Sequence, residues 1–130
     1  GFYVGAGSNE FQLVHIEDLV DYYLRVVEVA AGGKDVGASP YARYFVVTAN
    51  AVSWKEIATV VAGALYRRTI LESGAPTAVD MAELDPGIFF VSANERVVAE
   101  RGRALGWKAR RVELKEYINE SIDEVLEGMH

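Results

Sequence analysis

The stretch Phe11-Gln12-Leu13-Val14-His15-Ile16-Glu17-Asp18-Leu19-Val20 changes character in its middle. Phe11–Val14 leans towards a strand. From Ile16 onward the apolar residues Ile16, Leu19, Val20, Tyr23, Leu24, Val27, Ala30 and Ala31 recur at three- and four-residue steps, the spacing of a helix. Glu17, Asp18 and Asp21 put negative charge near the start of that helix, where its dipole favours it. Gly32-Gly33 ends it, because glycine adopts the left-handed conformation at little cost. A histidine therefore stands where a strand gives way to a helix, with a carboxylate one turn on.

That junction supports two readings. In the structural one, Asp18 satisfies helix amides and His15 hydrogen-bonds nearby backbone. In the functional one, His15 edges a ligand cleft, since α/β folds place ligands beyond the carboxyl ends of strands. The residues alone favour the structural reading, because buried polar groups usually serve backbone.

Downstream, Tyr22, Val26 and Val29 widen the apolar stripe of the first helix beyond one face, which predicts burial on two sides. Tyr44-Phe45-Val46-Val47 is a short apolar run without alternation and predicts a strand buried on both faces, as in a parallel sheet. Ser53 and Glu56 have capping-box spacing ahead of Ile57, Val60, Val61, Ala64 and Leu65, a second helix. Residues 71–87 are broken by Gly74, Pro76, Pro86 and Gly87. They have room for one helical turn at Met81–Leu84, and Ile88–Val91 reads as a short strand or a core anchor. A third helix is expected from a cap at Ser92 or Asn94 to about Leu105, with Gly106 as its stop. A last one spans about Glu113–Glu127, with Leu114, Tyr117, Ile118, Ile122, Val125 and Leu126 on one side. The expectation is a single, helix-rich α/β domain over residues 1–130, with about four helices and two or three short strands.

Of the 130 residues, 51% are hydrophobic and 25% charged, the make-up of a globular chain. No apolar run approaches membrane-spanning length, so no transmembrane helix is expected, and the opening Gly1-Phe2-Tyr3-Val4-Gly5 does not read as a signal peptide. The absence of cysteine removes disulfides and thiolate chemistry and fits a cytoplasmic protein. A net charge of −6 argues against general nucleic-acid binding. The clustered cations Arg96, Arg101, Arg103, Lys108, Arg110 and Arg111 read as a solvated helix face and the loop after it. Trp54 and Trp107 read as packing residues at helix ends. His15 and His130 lack metal-ligand spacing. Gly5-Ala6-Gly7 has no third glycine or following helix and reads as a turn rather than a dinucleotide fingerprint. No tyrosine is followed four residues later by lysine.

Taken in order, these segments resemble the extended short-chain dehydrogenases/reductases. Val14-His15-Ile16-Glu17-Asp18-Leu19 is similar to the family's Val-His-Val/Ile-x-Asp-Leu/Val stretch, with Gly5-Ala6-Gly7-Ser8-Asn9 in place of the loop before it. Tyr44–Thr48 followed by Val52-Ser53-Trp54-Lys55-Glu56-Ile57-Ala58 looks like the last sheet strand and the next helix. Arg103-Ala104-Leu105-Gly106-Trp107-Lys108 looks like the Leu-Gly-Trp-x-Pro element, with Ala109 where proline is usual. The flavour is that of the nucleoside-diphosphate-sugar epimerase and nitrogen-regulator-like branches.

The resemblance implies a C-terminal, substrate-side lobe of an NAD(P)-dependent epimerase, reductase or dehydratase. Hydride transfer would use NAD or NADP held on an N-terminal Rossmann domain, and this chain would hold no cofactor and no catalytic residue. The start at Gly1 without methionine fits that expectation. Ser8, Asn9 and His15, and the irregular stretch near residues 74–87, are the implied contacts to a small-molecule substrate. The implied partner is the missing Rossmann domain, or a second copy in a homo-oligomer, because apolar surface and strand edges would otherwise lie open. The alternatives are a non-catalytic module that senses dinucleotide or a protein partner, and an unrelated helical interaction domain, which would have no parallel strand at Tyr44–Thr48.

Overall fold

The computed structural model describes residues 1–37, 39 and 41–128; His130 lies outside them. The chain is mixed α/β, with four helices and four short strands among the described residues. Strand β1 (Phe2–Val4) leads through a turn to β2 (Glu10–Leu13) and helix α1 (Ile16–Ala31). Then come β3 (Asn50–Ser53), α2 (Trp54–Arg67), β4 (Thr77–Val79), α3 (Glu100–Ala104) and α4 (Leu114–Glu127). β1 pairs with β4 in parallel, in the register Phe2↔Thr77 to Val4↔Val79, and β2 pairs with β3. No helix among the described residues is long and apolar enough to cross a membrane.

The residues form two compact units. The first comprises Gly1–Phe11, Val52–Glu95 and Glu113–His130, and the second Gln12–Ala51 and Arg96–Val112. In the first unit α2 starts as its sequence dictates, with the Ser53 side chain accepting the Glu56 N–H at 3.2 Å. Its small residues Ala58, Ala62 and Ala64 are buried with Val60. They allow β1 to approach closely: a side chain at Gly1 would meet the Ala58 carbonyl and the Ala62 methyl at 3.3 Å. The other side of α2 faces α4. Arg68 ties the two together, donating to the Asp123 carboxylate at 2.7 Å and to the Asn119 side chain at 3.1 Å.

The core of the second unit is Tyr22 of α1 with Ala99 and Trp107. Val14, Val26, Phe45, Val47 and Ala109 pack around them. The Tyr22 and Trp107 rings meet edge-to-face at 5.0 Å. Gly102 is required there, because a β-carbon at that position would lie 2.2 Å from Tyr22 Cε2. Trp54 in the first unit also packs, against Phe11 at 5.2 Å between ring centroids, and donates its indole N–H to the Phe2 carbonyl at 3.1 Å.

Three expectations change, and one pair of alternatives is decided. Tyr44–Val47 forms no strand and is only partly buried, because side chains take the place of a neighbouring strand: Arg101 donates to the Tyr44 carbonyl and the Tyr22 hydroxyl to that of Val46. The third helix starts at Glu100 rather than at a Ser92 or Asn94 cap, since Asn94 spends its side-chain oxygen on the Glu10 N–H. Of the two readings of Ile88–Val91, no strand forms: the run lies in a 3₁₀ segment, Pro86–Ser92, in which Val91 is buried and Phe90 exposed. α1 buries Asp18, Tyr22 and Val29 but leaves Ile16, Val20, Tyr23, Leu24 and Val27 exposed, so its second apolar side has no cover.

Candidate functional site

The turn after β1 is built from glycines in the left-handed region, Gly5 at φ 55° and Gly7 at φ 66°. The Gly7 N–H returns to the Val4 carbonyl at 2.8 Å, so Gly5-Ala6-Gly7 is the turn its sequence indicates. Gly7 also has no room for a side chain, with Lys55 Cβ and the Tyr3 ring each 2.7 Å from where a β-carbon would stand. The turn delivers Ser8 and Asn9 to a depression of about 250 Å³ lined by Val4, Ala6, Gly7, Ser8, Asn9, Ser92 and Asn94.

Much of its polarity is already committed. The Asn9 amide donates to the carbonyls of Val91 at 2.5 Å and Ala93 at 3.3 Å, and Asn94 accepts from Glu10 at 2.9 Å. Asn9 thus fixes the wall of the depression as well as facing it, while Ser8 is exposed. Every lining residue is uncharged. The depression can hydrogen-bond a hydroxyl-rich ligand, but it holds no group that would move a proton at neutral pH.

His15 belongs to the second unit. It is the N-cap of α1, and its Nδ1 accepts the Glu17 N–H at 3.2 Å. Asp18 does not satisfy the amides of its own helix. Its carboxylate is fully buried and accepts the backbone N–H groups of Arg110, at 3.0 Å, and Arg111, at 2.8 Å. The Asp18 carbonyl accepts the Trp107 indole N–H at 3.2 Å. A buried carboxylate needs this many donors, and two amides and the Arg110 guanidinium, 4.0 Å away, supply them.

The basic cluster divides. Arg110 pairs with Asp21, Arg111 with Glu17 at 3.3 Å, and Arg101 donates to the Tyr41 carbonyl at 2.8 Å. Arg96, Arg103 and Lys108 are exposed, as the reading of a solvated face expects, and line grooves of the second unit. Among the described residues no three histidine or carboxylate side chains are placed to hold a metal ion. The stretch near residues 74–87 contains β4 and a 3₁₀ turn, Met81–Glu83, capped by Asp80, and none of its residues lines the depression.

Comparison of the chain with protein-family models, with curated proteins and with solved structures gives no significant match.

Proposed function

We propose that the chain is the substrate-side, C-terminal lobe of an NAD(P)-dependent epimerase, reductase or dehydratase of the extended short-chain dehydrogenase/reductase type. One observation carries this reading. Two of the stretches that give the sequence resemblance, Val14–Leu19 and Arg103–Lys108 with the residues just after it, lie some ninety residues apart and are joined through one buried residue, Asp18. The resemblance alone did not require that junction, and its presence supports treating the segments as parts of one ordered architecture.

On this reading the glycine fingerprint and the Tyr-Lys pair, which the sequence lacks, belong to a separate Rossmann domain that carries NAD or NADP. This chain does not catalyse by itself. The uncharged depression at Ser8 and Asn9 takes the hydroxyl-rich part of a nucleoside-diphosphate sugar. His15 holds the start of α1 instead of reacting. The uncovered apolar side of α1 docks the Rossmann domain or a second copy of the chain, and the cysteine-free composition suits the cytoplasm.

The alternative of a dinucleotide-sensing module uses the same fold without turnover. An unrelated helical interaction domain is favoured by the unladdered Tyr44–Val47 segment and disfavoured by the parallel β1–β4 pair. Backbone amide NMR of the chain, titrated separately with UDP-glucose and with NADH, separates the three. The proposal expects UDP-glucose to move the Ser8, Asn9 and Asn94 amides and NADH to move none. Binding of NADH alone supports the sensing module, and silence towards both overturns the substrate-lobe reading.

A further inference from the structure

Two adjoining grooves in the second unit share Thr48, Ala49 and Arg103. The first, of about 320 Å³, is completed by Trp107, Lys108, Ala109 and Val112. The second, of about 410 Å³, includes Gln12, Asn50 and Arg96. Both fall in the size range of small-ligand sites. Thr48 is 4% exposed and its hydroxyl donates to the side-chain carbonyl of the half-buried Gln12 at 3.0 Å, so a buried hydroxyl lies beside the cations. No carboxylate lines either groove.

Arg103 differs from the chain's other arginines. Every other arginine has an interaction partner, such as the Leu105 carbonyl for Arg25, that of Gly37 for Arg43 and the Asp21 carboxylate for Arg110. Among the described residues Arg103 alone of the nine arginines has no partner for its guanidinium, and Lys108 likewise forms no ion pair. The charge balance of the second unit agrees: it carries nine basic and six acidic side chains, against four and thirteen in the first. Two like charges facing one concave space attract an anion, and the planar guanidinium fork matches a phosphate with two parallel hydrogen bonds.

We propose that Arg103 and Lys108 bind the phosphate of a small soluble phosphate or diphosphate ester, whose apolar part lies along Ala49, Ala109 and Val112. A duplex or a single strand of nucleic acid would need a continuous basic face. Here Arg110 and Arg111 are drawn to Asp21 and Glu17, which interrupts any such face. The site is independent of the depression at Ser8 and Asn9 and does not depend on the function proposed for it.

The test is a backbone amide NMR titration of the chain with inorganic pyrophosphate at ionic strength held constant with sodium chloride. The expected result is saturable movement of the Ala49, Arg103 and Lys108 amides, weakened about tenfold in Arg103→Gln and in Lys108→Gln, as fits loss of a charge-assisted contact. Both side chains are exposed, so the folded state tolerates the changes. Arg43→Gln, which removes a guanidinium bonded to the Gly37 carbonyl of the same unit, is expected to leave binding unchanged. Absence of saturable movement overturns the proposal, as does equal weakening in Arg43→Gln, the mark of diffuse attraction to a basic unit. Sedimentation with phosphoinositide-containing vesicles, without pyrophosphate binding, would assign the cations to a membrane headgroup and also overturn it.

Discussion

The carboxylate of Asp18 receives the backbone N–H groups of both Arg110 and Arg111, residues 92 and 93 positions further along the chain. Through it, the first turn of α1 fixes the path of the chain after Trp107 by backbone contacts, beside the ion pairs of Arg110 and Arg111. Asp18→Asn keeps the size but offers an NH₂ group where an acceptor is needed, and removes a charge-assisted pair of bonds. The expected loss of stability is about 2–4 kcal/mol, read as a lower urea midpoint at unchanged slope. Asp18→Ala, which leaves both amides without their acceptor, is expected to cost at least as much. A loss below about 0.5 kcal/mol, the range of ordinary surface changes, would contradict this role.

Gly102→Ala tests the close approach of α3 to Tyr22. The added methyl falls within 2.2 Å of the ring, so the ring or the helix must move. Overpacking of this kind costs about 1–3 kcal/mol. Tyr22 packs edge-to-face on Trp107, so the same substitution is expected to alter tryptophan fluorescence, whereas Gly63→Ala, whose β-carbon would meet only the Arg67 guanidinium at an ordinary 3.5 Å, is expected to leave fluorescence unchanged and to stabilise α2 by about 0.5–1 kcal/mol.

α1 and α2 were legible because each combines a long apolar period with local signals, the acidic first turn and Gly32-Gly33 for α1 and the Ser53 cap for α2, while α4 was legible from its apolar period alone. β1 and β4 were not, because each is three residues long and its only reason to be a strand is the other, far away in the chain. Tyr44–Val47 failed in the opposite way. Its composition suits a strand, but whether a strand forms depends on who accepts and donates along its edge, and Arg101 and Tyr22 occupy those carbonyls. The candidate site was partly legible. Ser8 and Asn9 do share one depression, but that Asn9 is also its staple to Val91 depends on a contact that crosses 82 residues. The idle guanidinium of Arg103 was invisible, since a helical run of cations looks the same whether or not its neighbours are neutralised.

Stability is expected to fall at alkaline pH through two tyrosines. Burial raises the pKa of Tyr22 above the ordinary 10.0, with Tyr23 adding and Arg101 opposing, and burial with the Glu56 carboxylate raises that of Tyr117. The folded state holds both in the neutral form, while the unfolded chain ionises at the ordinary value. The contribution is therefore whole below pH about 10 and is lost as pH rises towards the folded values, at up to about 1.4 kcal/mol per pH unit for each group. Urea midpoints from pH 8 to 11 check this. Replacing both residues by phenylalanine is expected to flatten the alkaline slope, and an unchanged slope would remove them as its cause.

The uncovered side of α1 sets the last expectation. Ile16, Val20, Tyr23, Leu24 and Val27 are each more than half exposed and recur at helical spacing, so they form one continuous stripe. Pairing buries five half-exposed side chains on each of two chains, worth on the order of 10 kcal/mol, of which the cost of association takes back roughly half. That supports weak pairing of isolated chains, in roughly the high micromolar range. Small-angle scattering over a concentration series is expected to show growth of the particle, and a hydrophobic dye is expected to bind the dilute chain. Leu24→Glu with Val27→Glu is expected to abolish both while leaving the helix content unchanged, since neither residue is in the Tyr22–Trp107 core. A strictly monomeric particle that binds no dye would mean that the stripe does not act as a docking surface, and would remove the main physical support for a Rossmann domain or a second chain lying against α1.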